Sequence, residues 1–192
     1  MAVKTMAKNT GTGQYNAGWH ELTISKATEG HWTNSKGDKL RTIDLNFEGY
    51  PDNMHHRVFE TNNRTTGEEF KIANLFRFAC AGIISVLNDP TGKNPVIQYD
   101  DEVANLVGTR VNVYFVKTVS KTDGKEYSKT FDIVPIAQET EHLTWTNDDV
   151  ARLKHGVEKQ HAKKVANTTN GVGTVTLDTT TTTTGNAEEI PF

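Results

Sequence analysis

The sequence is short of cysteine: Cys80 is the only one in 192 residues. No intramolecular disulfide can form, and its apolar neighbours Phe76, Phe78, Ile83 and Ile84 suggest a small core residue rather than an activated thiol. Also missing is any apolar run near the ~18 residues that span a bilayer. The opening Met1 to Lys8 carries bases but no apolar stretch of the secretory kind, so no membrane association and a cytoplasmic protein are expected. The signatures of catalysis are absent as well. No Gly-Lys-Ser/Thr follows Gly11-Thr12-Gly13, no nucleophile elbow or dinucleotide fingerprint occurs, and the histidines form no His-Glu-x-x-His. Without cysteine pairs, a zinc site is not expected either. The acids Asp100, Asp101 and Glu102 could in principle hold magnesium, but their place before a short helix suits capping. The expectation is a protein with no enzymatic activity, no metal and no cofactor.

Net charge is also small, −3, where many nucleic-acid binders are strongly basic. Its distribution is uneven. Residues 110–129 hold Arg110, Lys117, Lys121, Lys125 and Lys129 against Asp123 and Glu126. Residues 171–192 hold Asp178, Glu188 and Glu189 with no base. A basic groove and an acidic tail would give this pattern.

What is present is a middle section able to form one core. Alternation of apolar and polar residues predicts strands over 19–27 and 40–48, the second with Ile43, Leu45 and Phe47 on one face. The polar stretch from Gly30 to Lys39 would join them as a long basic loop. A third strand is predicted over 55–61. Ile72, Phe76, Ala79, Ile83, Val86 and Leu87 recur at three- and four-residue steps and predict a helix over 68–87, opened by Glu68 and Glu69 and stopped by Asn88-Asp89-Pro90. A short helix is expected over 101–107, between Asp100 and Gly108. Strands over 109–118 and 127–136 flank Asp123-Gly124, a hairpin signal. Three strands, a helix and two more strands is the order of an OB-like five-stranded barrel, so the expected fold class is mainly β with helical insertions. Other α+β sheets share that order.

The domain is expected over 17–137, after a flexible arm at 1–16. A polar extension follows over 138–166, helical beyond a cap near Thr146. Residues 167–187 are rich in threonine, unbroken over Thr179–Thr184. With so little to bury, this linker is expected to be disordered.

The chain closes on Glu188-Glu189-Ile190-Pro191-Phe192. This tip resembles that of bacterial single-stranded DNA-binding proteins, in which an acidic run precedes Ile-Pro-Phe. Together with the Gly18-Trp19-His20-Glu21 start and the helix expected from Phe70 onward, it resembles diverged members encoded by bacteriophages more than the bacterial housekeeping version. The resemblance implies sequence-independent coating of single-stranded DNA during replication, recombination or repair. It also implies recruitment of replication or recombination proteins through Glu188, Glu189, Ile190, Pro191 and Phe192. For a phage-encoded protein the compartment would be the host cytoplasm, and a homo-oligomer is compatible with it.

Single-strand binding needs cations along the phosphate path and aromatic faces for the bases. In an OB-like domain these lie on strands 2–3 and on the loops joining strands 1–2 and 4–5. The first loop and its flanks offer Trp32, Lys36, Lys39 and Arg41. The third strand and the loop after it offer Arg57, Phe59 and Arg64. The last hairpin offers Arg110, Tyr114, Lys117, Lys121, Lys125, Tyr127 and Lys129. Two other readings fit the same features: a strand-annealing recombination protein, and a protein-binding adaptor without DNA affinity.

Overall fold

The computed structural model describes residues 15–87, 96–120 and 122–169. Its organising element is β1 (Gly18–Thr33), a strand of sixteen residues. The strand is longer than alternation alone suggested because the turn after it is tight. The Asn34 side-chain oxygen accepts from the backbone N–H groups of Lys36 and Asp38, both at 2.9 Å. Gly37 takes the positive φ the turn requires. The long basic loop expected over 30–39 is therefore half strand, the turn itself taking only 34–38.

β1 serves two neighbours. Residues 18–23 pair with β6 (Arg110–Val119) and residues 24–33 with β2 (Lys39–Phe47), the change of partner falling at a bulge between Ile24 and Lys26. A bulge bends and twists a strand, which lets one strand belong to two halves of a curved sheet. β3 (His56–Phe59) adds to β2, and β7 (Glu126–Val134) adds to β6. The result is a mainly β protein whose five-stranded antiparallel sheet has the order β3-β2-β1-β6-β7.

The sheet does not close into a barrel. β3 is only four residues long, and across the seam the Thr130 hydroxyl donates to the His55 carbonyl at 3.0 Å without a ladder between β3 and β7. One face carries the core: Ile43, Leu45, Phe47, Val111, Val113 and Phe115 from the sheet, Ile72, Leu75 and Phe76 from α1.

The helix expected over 68–87 is a correction. Only Lys71–Ala79 is helical, as α1. Cys80 turns left-handed, with φ of 50°, while the Ala81 N–H reaches back to the Phe76 carbonyl at 2.9 Å. Gly82 follows with φ of 63°. Beyond these two residues the chain extends as β4 (Ile83–Leu87) and pairs with β5 (Val96–Tyr99). Ile83, Ile84 and Val86 are β-branched, so they suit the strand. Glu69 sits just ahead of α1, where its carboxylate accepts from the N–H groups of Ile72 at 2.7 Å and Ala73 at 2.9 Å.

The short helix expected over 101–107 is a 3-10 turn, Val103–Leu106, with Leu106 fully buried. After β7 come a small hairpin, β8 (Gln138–Glu139) and β9 (Thr144–Trp145), and then α2 (Asn147–Thr169). Thr146 and Asp149 cap α2 reciprocally: the Asp149 N–H donates to the Thr146 hydroxyl at 3.1 Å, and that hydroxyl donates to the Asp149 carboxylate at 2.6 Å. α2 runs into the first residues of the segment expected to be a disordered linker. The rest of that linker, the tip at 188–192 and residues 1–14 of the arm lie outside the described residues. Tyr15 is anchored rather than loose: its N–H and C=O both bond the Ser128 hydroxyl, and its ring lies 4.6 Å from that of Tyr50. Among the described residues no helix is long and apolar enough to cross a membrane.

Candidate nucleic-acid interface

Strand register sorts the candidate side chains. Gly30, Thr42 and Phe59 are cross-strand neighbours, as are Asp44 and Arg57, and Trp32 lies opposite Leu40. Successive side chains alternate between faces. Trp32, Asp44, Arg57 and Phe59 therefore share the face opposite the core residues Ile43, Leu45 and Val58. On it Trp32 and Phe59 remain 41% and 38% exposed, with ring centroids 5.6 Å apart in an edge-to-face pair. Phe70, Ile84, Leu87, Val119 and Tyr127 are also exposed among the described residues; Trp32 and Phe59 differ in standing ring against ring on one sheet face.

Arg57 is held on the same face. Its guanidinium donates two hydrogen bonds to the Asp44 carboxylate, at 2.6 and 2.7 Å. That pairing pulls the Asp44 carboxyl below the usual carboxylate range. Arg41 is placed differently. It lies on the opposite face of β2 and pairs with Glu29 at 2.8 Å and with Asp101, tying β1 and β2 to the segment before the 3-10 turn. These bonds raise its pKa further above the ordinary arginine value. Lys36 stands exposed in the β1–β2 turn and Lys39 opens β2. Arg64 is exposed in the loop after β3.

The β6–β7 candidates form a second group. Lys117 pairs with Glu126 at 3.6 Å, Lys125 meets Asp123 at 4.0 Å, and Arg110 pairs with Glu21. Tyr127 and Lys129 are exposed on β7. Lys121 lies outside the described residues. Register places this hairpin's tip past Gly18 and the β1–β2 turn past Thr33, so the two groups stand at opposite ends of β1. Tyr114 is turned outward from β6 as expected, but α2 covers it. Its ring is 4.8 Å from Trp19 and 5.7 Å from His161, and the Trp19 indole N–H donates to Glu158 of α2 at 2.8 Å.

Between the unpaired edges of β3 and β7 opens a cleft of about 660 Å³. Arg57 and Phe59 reach into it from β3, Phe131 and Asp132 from β7. α1 supplies Lys71 and Phe78, with Phe70 just before it, and α2 supplies Arg152 and Lys164. The Lys164 ammonium lies 4.8 Å from the centre of the Phe131 ring. Sequence reasoning missed this wall. Its signal was present: Phe70, Asn74 and Phe78 recur every four residues off the core face of α1, and Arg152, Gly156, Gln160 and Lys164 do the same along α2. Nothing local shows that the two stripes face one another.

The acids Asp100 and Asp101 are engaged in the fold: Asp100 accepts from the Glu102 N–H at 3.1 Å and Asp101 pairs with Arg41. Among the described residues no cluster of histidine, cysteine and acids is placed to hold a metal. Glu188, Glu189, Ile190, Pro191 and Phe192 lie outside the described residues. Among known proteins, no family model matches the chain and no curated protein matches it.

Proposed function

We propose that this protein binds single-stranded DNA without sequence preference, to coat and protect it during replication, recombination or repair. The observation that carries the reading is the exposed Trp32–Phe59 pair beside Arg57 on the outer face of β1–β2–β3. Stacking on aromatic rings is worth ~1–3 kcal/mol per base and tolerates any base, while neighbouring cations hold the phosphates. The OB-like reading of the fold draws support from the strand order and from the bent β1 that serves two neighbours. A helix between the third and fourth strands of the sheet supports it too. OB-type barrels are often partly open and bind strands on this face. The acidic tip, Glu188-Glu189-Ile190-Pro191-Phe192, is proposed to recruit replication or recombination proteins, an apolar ring with a carboxylate beside it being enough to dock in a small basic-rimmed pocket.

The test is intrinsic tryptophan fluorescence during titration with oligo-dT, repeated with duplex DNA and at rising salt. Quenching by the single strand alone, weakening as salt rises, supports the reading. No quenching and no mobility shift at low salt sinks it and leaves the adaptor reading, in which the tip does the work. Acceleration of pairing between complementary strands would favour the annealing protein instead.

A further inference from the structure

We propose that the cleft between β3 and β7 carries a second stretch of the same single strand, with α2 as its far wall. The inference rests on the single-strand reading and adds a contact surface that the β1–β2–β3 face does not include. Arg57 and Phe59 belong to both surfaces, so a strand stacked on Phe59 has a continuous route inward. The walls along that route carry both rings and cations. Phe70, Phe78 and Phe131 present aromatic surface; Lys71, Lys164 and Arg152, which also pairs with Asp149 at 3.1 Å, present charge; Asp132 is the one carboxylate among the lining residues. The Lys164 ammonium lies over the Phe131 ring, so this part of the wall offers a phosphate a cation held in place by an aromatic face.

Gly156 lies mid-helix on the cleft wall. A Cβ there would meet nothing within 4 Å, so no neighbour requires the glycine, which in a helix costs ~1 kcal/mol relative to alanine. It does keep the cleft wide. The slot lies between two strand edges and two helices, a setting in which unstacked bases of a single strand can be read by aromatic side chains. The unpaired edges of β3 and β7 would also suit an added peptide strand, but that mode draws on backbone hydrogen bonds and makes no use of the cations on the walls.

Three variants of the full chain test this: the double substitution Arg152→Gln with Lys164→Gln, Gly156→Glu, and Trp32→Ala as the outer-face control. Gly156→Glu places a carboxylate in open space on a helix that tolerates it, so it keeps its fold even if the double variant does not. Each is titrated with oligo-dT of graded length across a salt series. If the strand enters the cleft, the double variant loses ~0.7 in salt slope per phosphate contact removed. Both cleft variants then also saturate on shorter oligonucleotides than the unmodified chain does. Unchanged slope and length dependence in both, with binding weakened by Trp32→Ala, would overturn the cleft and leave the outer-face reading standing; a cleft that holds a peptide gives this same result. Failure of the unmodified chain to bind at low salt overturns both.

Discussion

Trp32 and Phe59, from β1 and β3, meet edge to face at 5.6 Å and 81° while both stay exposed. Edge-to-face packing of rings is worth ~0.5–1.5 kcal/mol when buried, and less here where water shares the contact. The pair therefore adds little to stability and leaves aromatic surface for a ligand. Trp32→Ala is expected to weaken single-strand binding by ~10-fold, from a stacking loss of ~1–3 kcal/mol, with a urea midpoint close to that of the unmodified protein. Equal affinity in the variant would mean that Trp32 stacks on no base.

Asp44 competes for the cation beside those rings. Its two hydrogen bonds occupy the Arg57 guanidinium, and its charge repels phosphate. Asp44→Asn is expected to tighten binding several-fold at low salt and to steepen the salt dependence, since one more cation becomes available. The stability cost is expected to stay near ~1 kcal/mol, because the pair is partly exposed. Mobility shifts at two salt concentrations check the direction; weaker binding would mean that Arg57 must be held by Asp44 to reach the strand.

Much of the sheet was legible in the chain because its signals are local. Ile43, Leu45 and Phe47 alternate and are buried, and Asp123-Gly124 does stand in the β6–β7 turn. The helix over 68–87 was over-read because Ile83, Val86 and Leu87 happen to continue the period of α1. Gly82, inside that run, was the contrary signal. The cleft was not legible, since its walls come from β3, β7, α1 and α2 and only long-range packing brings them together. The same holds for Tyr114: its outward direction follows from alternation, but its cover depends on a helix that contacts β1 through Trp19 and Glu158.

Gly82 marks the point where α1 yields to β4. It has φ of 63°, and a Cβ there would collide with the Asp100 carbonyl oxygen; the Asp100 N–H also donates to the Gly82 carbonyl at 2.8 Å. An L-residue in the left-handed region costs ~1–2 kcal/mol before any clash. Gly82→Ala is expected to destabilise the protein by more than ~2 kcal/mol, read as a lower urea midpoint. A loss below ~0.5 kcal/mol would show that the β4–β5 hairpin can shift away from Asp100.

His56, at the seam beside β7, gives the protein a defined response to acid. Burial pushes its imidazole down to about 4, against a smaller upward pull from Asp132; Lys71 and His55 push it further down and Asp44 pulls it up. In the unfolded chain the same group titrates near the ordinary histidine value of ~6.5. Between those two values the unfolded state binds the extra proton, so stability falls as pH drops from ~6.5 toward 4 and the loss levels off below that. The full effect is about 3 kcal/mol. Urea titrations at about pH 7.5, 5.5 and 4.5, spanning this window, are expected to show declining stability in the unmodified protein. In His56→Gln, which cannot take up the proton, the slope should be shallower whatever the variant's starting stability. Parallel slopes for the two proteins would assign the acid response to other groups and place a solvated, protonatable His56 at the seam.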